Sequence, residues 1–461
     1  MATTIATTKN SETAPVITAR ILRRLLAGGG DTRVERMLEK IHPADLGPLL
    51  ADLTPDEIRT VIDLLFKQHR AAAMLKELPP EMLPEVFETV SDQRLVELLE
   101  RVELDDMLEL IEGIPKDRLE AVRSLLPDVT LEELRKAEIY PPSSAGRAMT
   151  TTYMALDEKM TAQEAIDSIR ASGELGESVL YLYVIDEERR LRGVVPIRRL
   201  VTSPPERPCG EMMIREAIST PPEADQEEVA RLVARYDLLA IPVTDVDGTL
   251  LGVITVDDVI DVITEEATED MYHLAGLSEE DRVFTKPSHS VRKRLPWMLV
   301  NLGTAFAAAW VVGLFQQTIE NLVALAVLLP VVAGMGGNGG IQTLTVITRA
   351  IALGEIEFSS GLRAVGKEFL VGLVLGAVTG AASAAIITVW QGNPVLGLVI
   401  FIAMVSTMAV AGLLGASVPL ALKAMGLDPA LGAGVVVTFF TDAFGFFSFL
   451  GIATLLMEHL L

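Results

Sequence analysis

The stretch Thr438-Phe439-Phe440-Thr441-Asp442-Ala443-Phe444-Gly445 lies inside the last long apolar run of the chain. It reads as the centre of a membrane-crossing helix, with Asp442 as the one charge in the middle of such a segment. An ionised carboxylate at mid-bilayer is costly, and residues of this kind face a bundle interior or a water-filled path. The structural alternative is a carboxylate paired with a neighbouring helix or held protonated. No Lys or Arg lies deep in the other apolar runs to pair with it, so Asp442 is the leading candidate for an ion path.

Working outward, five apolar segments are expected to span: about Leu295–Gln316, Leu322–Arg349, Phe369–Trp390, Pro394–Leu422 and Pro429–Leu456. Each can cross a hydrocarbon core of about 30 Å. Arg292-Lys293-Arg294 precedes the first span, Arg349, Arg363 and Lys367 flank the loop between the second and third, and Lys423 follows the fourth. The loops Gln317–Asn321 and Gln391–Asn393 carry no base. By the positive-inside rule the half before the spans is cytoplasmic, and five crossings put the C-terminus outside.

The second span carries Pro330-Val-Val-Ala-Gly334-Met-Gly336-Gly337-Asn338-Gly339-Gly340-Ile-Gln342. Proline and clustered glycine permit a kink or break, and freed carbonyls at membrane depth must line protein or water. Small residues also allow close helix packing. Packing alone does not explain Asn338 and Gln342, two polar groups one helical turn apart. The chain has no Gly-Lys-Ser/Thr loop and no His-Glu-x-x-His pair, which excludes a phosphate-cradling loop and a membrane zinc protease.

The chain has 461 residues and a net charge of -24. From Val291 onward acids and bases cancel, so the negative charge sits in the preceding half. Such a half repels nucleic acid and suits cations. The single cysteine, Cys209, excludes an internal disulfide and fits a reducing compartment. Met1 to Pro15 is Thr-rich, lacks the apolar core of a signal peptide, and reads as a disordered lead over residues 1–18.

Residues 19–138 read as all-helical. Leu46, Leu49, Leu50 and Leu53, then Ile58, Val61, Ile62 and Leu65, recur at helical spacing, and helix pairs about every 25 residues suggest a short superhelical stack. Within it Asp105 and Glu109 share a face, like charges that destabilise a helix unless a cation sits there; a solvated face is the bland alternative. From about Met149 the pattern changes to α/β and repeats. Tyr183-Val-Ile-Asp186 leads to Gly193-Val-Val195, and Pro242-Val-Thr-Asp245 leads to Gly252-Val-Ile254, each copy preceded by an amphipathic helix. The second copy exits through Asp257-Asp258-Val-Ile-Asp261-Val-Ile-Thr-Glu265-Glu266-Ala-Thr-Glu269-Asp270. In a helix Asp258, Asp261 and Glu265 share one face, continued by Glu269. Oxygen-rich clusters suit hard divalent cations, although most charge runs are only solvated. Met271 to Ser290 reads as a polar linker that Lys286-Pro287 ends.

The repeated unit resembles the cystathionine-β-synthase (CBS) domain, which occurs in tandem pairs. Gly252-Val-Ile-Thr255-Val-Asp257 is similar to that family's ribose-contacting stretch, whereas Gly193-Val-Val-Pro196-Ile-Arg198 lacks the Thr and Asp. With the helical lead, the acidic linker, Pro330…Gly336-Gly337-Asn338…Gln342 and Thr441-Asp442, nearly the whole chain resembles the MgtE family of magnesium transporters. The resemblance implies an all-α superhelical N-terminal domain (19–138), α/β tandem CBS domains (139–202 and 203–267), an acidic linker (268–290) and a polytopic α-helical membrane domain with five spans (291–461). It implies no enzyme but a homodimer in a bacterial plasma membrane, with Asp442 of each subunit at an Mg²⁺ path and Thr441, Asn338, Gln342, Gly336, Gly337 and Pro330 along it. Mg²⁺ held by Asp105, Glu109, Glu227, Asp237, Asp258, Asp261, Glu266 and Glu269 would close it. Thr255 and Asp257 mark the candidate ATP contact. Where the family can carry a polar side chain eight residues before the aspartate, this chain has Gly434. Two other classes compete: a coupled transporter of another divalent ion, and a membrane-anchored CBS sensor without transport.

Overall fold

The protein is described by a computed structural model covering residues 14–28, 31–50, 53–171, 181–277, 287–356 and 358–460. It divides into two compact units, 1–260 and 261–461.

The first unit opens as a run of short helices between Ala14 and Glu138. Thr54 starts the helix Pro55–Lys67 with a reciprocal capping box: its hydroxyl accepts from the Glu57 amide while the Glu57 carboxylate accepts from the Thr54 amide. The apolar stripe of that helix, Ile58, Val61, Ile62 and Leu65, is buried. Successive helices stack through Leu46, Leu65, Phe87, Leu95 and Leu98 in one core. Arg118 ties the stack by donating to the carbonyls of Phe87 and Val90, both at 2.6 Å, and to Asp92.

The α/β part then follows its repeat closely. In the first copy β1 (Ala155–Asp157) lies parallel to β2 (Tyr181–Ile185), which pairs antiparallel with β3 (Leu191–Pro196). In the second, β4 (Ala240–Thr244) pairs antiparallel with β5 (Leu250–Thr255). Both hairpins carry a register shift at the same place, Val184/Ile185 and Val243/Thr244. Gly193 and Gly252 are matched as well. A Cβ on Gly193 would lie 2.6 Å from the Ile214 carbonyl, and one on Gly252 2.7 Å from the Thr150 carbonyl. Each glycine lets a neighbouring chain close over its strand.

Among its described residues the second unit holds five helices long and apolar enough to cross a membrane: Pro287–Gly313, Ala324–Ala352, Phe358–Gln391, Pro394–Ala424 and Ala433–Leu455. Three expectations are corrected. The second helix runs unbroken through Pro330 and its glycines. The reason is packing: Cβ atoms on Gly336, Gly339 and Gly340 would lie 2.7, 2.7 and 2.6 Å from Thr407, Met408 and Val437, so these glycines admit close neighbours rather than free carbonyls. The third helix begins well before Phe369, which brings Glu368 inside it, buried. The first membrane helix opens at Pro287, ahead of the expected start near Leu295, as suits a residue whose missing N–H is not needed there. The expected linker residues 278–286 lie outside the described residues.

Candidate functional site

The membrane site is built by close packing of the second, fourth and fifth membrane helices. A Cβ on Gly415 of the fourth would meet the Gly340 carbonyl at 2.7 Å, and one on Gly445 of the fifth would lie 3.2 Å from both Thr407 and Val332. Thr441 is fully buried against the second helix, with its hydroxyl donating to the Thr438 carbonyl at 2.9 Å. Its side chain lies opposite Gly336 and Gly340. That contact fixes the level of the next residue, the half-buried Asp442, with Asn338, at the middle of the second helix. Asn338 and Gln342 lie uncovered on the single chain, Gly337 is partly covered, and Pro330 is exposed one helix end away. The acid that sequence reasoning missed is Glu368. Lys367 donates to its Oε1 at 2.5 Å, and Thr343 of the second helix to its Oε2 at 3.4 Å. It lies one residue before the span expected at Phe369–Trp390, and it is paired with Lys367 and Thr343.

The soluble site is a cleft in the first unit, of about 660 Å³ including its open mouth, lined among others by Lys76, Glu103, Asp105, Asp106, Asp257 and Asp258. Asp105 comes from the helix Leu104–Glu112 and Asp258 from the start of the helix Val256–Leu274. Thr150 donates to Glu103 at 2.5 Å. Thr255 donates to Asp258 through its hydroxyl at 2.5 Å and its amide at 3.3 Å, which engages the hydroxyl expected to meet a ribose. Asp105 Oδ1 is buried with no hydrogen-bond partner among the described residues. Burial, then the charge of Asp258, pushes the Asp105 carboxyl up to about 8. Burial also raises Asp258 to about 6, against the lowering bonds from Thr255. A buried, unpartnered carboxylate oxygen facing other carboxylates fits a hard divalent cation held by oxygen alone. Glu109 is exposed and does not line this cleft; Glu103 and Asp106 take its place, marked in the sequence only by their nearness to Asp105.

Glu227 and Asp237 are not brought together. They lie at opposite ends of the helix Gln226–Tyr236, about 15 Å apart along its axis. Glu227 is 3.3 Å from Arg231, and Asp237 closes the helix in the left-handed conformation.

In the second unit, Asp261 is exposed and Glu266 half-buried on the linker helix Val256–Leu274. Near its end, His273 Nδ1 lies 2.6 Å from Asp428 and 3.6 Å from Glu269, a set whose ligand atoms could share one metal ion. Burial, then the charge of Asp428, raises Asp270 to about 6. Asp428 and His273 carried no sequence signal, being 155 positions apart. The same helix end explains Gly434. A Cβ there would meet the Leu274 carbonyl at 2.7 Å, and Leu274 packs on Leu344, Ala433 and Val437.

Residues 329–452 match the sequence model of the MgtE divalent cation transporter, 41–143 that of the MgtE intracellular N domain, and 145–205 and 209–265 that of the CBS domain. A magnesium transporter MgtE of Thermus thermophilus is 35% identical over 435 residues, covering 93% of this chain and 96% of that protein. This chain belongs to the MgtE family. MgtE is a family of transporters rather than enzymes. The Bacillus subtilis magnesium transporter MgtE is 35% identical over 70% of this chain and 71% of its own. Among solved structures, the cytosolic domain of the Mg²⁺ channel MgtE in complex with ATP superposes with a TM-score of 0.50 at 36% identity, covering 53% of this chain and 99% of that one. The soluble part of a magnesium transporter gives 0.51 at 25% identity, over 55% and 99%. The match over both the soluble and the membrane halves fits the three-part architecture expected from the sequence.

Proposed function

We propose that this multi-pass membrane protein moves Mg²⁺ through a path lined by Asp442, and that Mg²⁺ on its soluble acidic cleft closes that path. The observation that carries the reading is the placement of a half-buried carboxylate level with Asn338 on tightly packed membrane helices. Mg²⁺ gives up water reluctantly and is best held by one or two carboxylates with waters retained. A site of so few charges also releases its ion. Asn338 and Gln342 are uncovered on one chain, and polar groups at membrane depth need protein or water against them. A second copy of the chain across a two-fold axis supplies both the cover and a second Asp442. The basic flanks support a cytoplasmic soluble half and a C-terminus outside.

Closure follows from charge. The carboxylates of Asp105, Asp106, Asp257 and Asp258 repel one another, and a divalent ion on Asp105 and Asp258 binds the closed state preferentially and shifts the population toward it. The Glu269–His273–Asp428 set and the seat of Leu274 on Gly434 give the linker helix its hold on the membrane helices. Glu227 and Asp237, set apart within one subunit, are proposed to meet acids of the second. ATP is a candidate ligand of the CBS pair beside Asp257, because the cytosolic domain of an MgtE Mg²⁺ channel is known in complex with ATP.

The test is Mg²⁺ flux into liposomes carrying the purified protein, wild type and Asp442→Asn, at low and high Mg²⁺ on the cytoplasmic face. Flux that needs Asp442 and shuts off at high Mg²⁺ supports the whole reading. Flux that ignores the mutation removes the path. Flux that depends on Asp442 yet ignores cytoplasmic Mg²⁺ removes the sensor. Flux that requires a proton or sodium gradient replaces a channel by a coupled transporter.

A further inference from the structure

Among the charged groups lining the soluble cleft, five are carboxylates and one is a base, Lys76. It closes the short helix Ala71–Leu75 as its C-cap. Its Nζ lies 3.3 Å from Asp106 Oδ2 on the helix Leu104–Glu112, and its side chain is only 38% exposed. Burial works against that charge, but Asp106 outweighs it and raises the lysine pKa, with Glu77 and Glu103 adding to the effect, so the ammonium stays charged. The neighbour of Asp106 is Asp105, whose buried Oδ1 has no partner among the described residues. An ammonium on Asp106 therefore neutralises one carboxylate of the cleft and leaves Asp105 and Asp258 for an ion.

We infer that Lys76 is a tethered counter-ion of the acidic cleft, holding the helix Leu104–Glu112 against the start of Val256–Leu274 when divalent cations are absent. It sets how much closure the protein keeps without Mg²⁺. This rests on the cleft being the Mg²⁺ sensor. A point charge suits the role: an ammonium is compact and strongly hydrated, and it lacks the planar fork that would bind two carboxylates rigidly. It can share the cleft with an incoming ion instead of blocking it. Divalent ions then act on a cleft already partly neutralised, and the response spans a narrower range than five bare acids would give.

The experiment is amide hydrogen exchange of segment 104–112 in the full-length protein in nanodiscs, at pH 8, in EDTA and at saturating Mg²⁺. The variants are Lys76→Gln and Lys76→Arg. In EDTA, Lys76→Gln is expected to exchange about fivefold faster than wild type, the scale of a partly buried charge pair. At saturating Mg²⁺ it returns to the wild-type rate, because the divalent ion replaces the lost charge. Lys76→Arg matches wild type in EDTA, because the charge is kept, and needs more Mg²⁺ to reach full protection. A Lys76→Gln protein equal to wild type in EDTA overturns the inference. So does a defect that Mg²⁺ does not repair, which would mark Lys76 as a packing residue. Should wild type itself gain no protection from Mg²⁺, the sensor reading fails, and this inference with it. A wild type that responds while Lys76→Gln does not differ sinks the inference alone.

Discussion

The two acidic sites of this chain are opposites. In the membrane helices Asp442 is set among apolar and small residues. In the soluble cleft, Glu103, Asp105, Asp106, Asp257 and Asp258 crowd together with one lysine. A lone carboxylate binds an ion weakly enough to pass it on. Crowded, partly buried carboxylates bind an ion to relieve their own repulsion, so occupancy is coupled to how closely their helices approach. On the function proposed above, the same residue type serves passage where it is sparse and sensing where it is dense.

The contrast breaks most visibly at the sparse site. Asp442→Asn keeps size and polarity and removes the charge, and Mg²⁺ flux is expected to fall roughly a hundredfold, as for loss of an ion-path charge. Hydrogen exchange of segment 104–112 should still respond to Mg²⁺, because the cleft is untouched. Retention of more than half the flux would show that the ion does not pass Asp442. At the dense site, Asp105→Asn should do the reverse. It leaves open-state flux intact and collapses the ratio of flux at low to high cytoplasmic Mg²⁺ by roughly tenfold, the order of effect of removing one carboxylate from a divalent site. Adding Asp258→Asn should cost less than its own single effect, since the two acids face one another.

Protons sharpen the same contrast. Asp105 is raised to about 8 and Asp258 to about 6 in the cation-free cleft. A raised carboxyl binds its proton more tightly in the docked state than apart, so docking without metal is most favoured at low pH and is lost as pH rises through about 6 and then about 8. Mg²⁺ needs the ionised groups, so its contribution grows over that window. Measured by exchange of segment 104–112, Mg²⁺ should add large protection at pH 8 and several-fold less at pH 6. Asp105→Asn should flatten the dependence. A Mg²⁺ effect equal at both values would contradict the raised carboxyl.

Much of this was legible in the sequence, for identifiable reasons. The five spans, the CBS repeat and Asp442 follow from hydropathy and from short repeated strands, and the hairpins Tyr181–Pro196 and Ala240–Thr255 carry their register shift at equivalent positions. Asp105 and Asp258 each stood in an acidic run, and the fold supplied their meeting. What stayed hidden was long-range or depended on neighbours. Asp428 and His273 meet across 155 positions. Glu368 precedes the apolar run that begins at Phe369, and only the longer helix Phe358–Gln391 brings it inside. The glycines of the second membrane helix are ambiguous by themselves, and only the side chains of Thr407, Met408 and Val437 show that they are contact surfaces. Lys76 is one base among 39 in the sequence and gains meaning from Asp106 alone.

The smallest expected effect lies at Gly434. Eight positions before Asp442, it is where the linker helix meets the membrane helices, and a Cβ there would stand 2.7 Å from the Leu274 carbonyl. A backbone oxygen cannot rotate away, so Gly434→Ala forces the helix end to shift. Leu274 then loses part of its packing on Leu344, Ala433 and Val437, a loss on the order of 1 kcal/mol, or about fivefold in the closed-state equilibrium. Flux at low cytoplasmic Mg²⁺ should be unchanged, while residual flux at high Mg²⁺ rises by about that factor. Gly434→Ser should behave alike, since the obstacle is the Cβ and not its chemistry. Tight closure in Gly434→Ala would mean that the seat of Leu274 does not hold the path shut. Closure would then rest on the Glu269–His273–Asp428 contact, where Asp428→Asn is the variant that must leak.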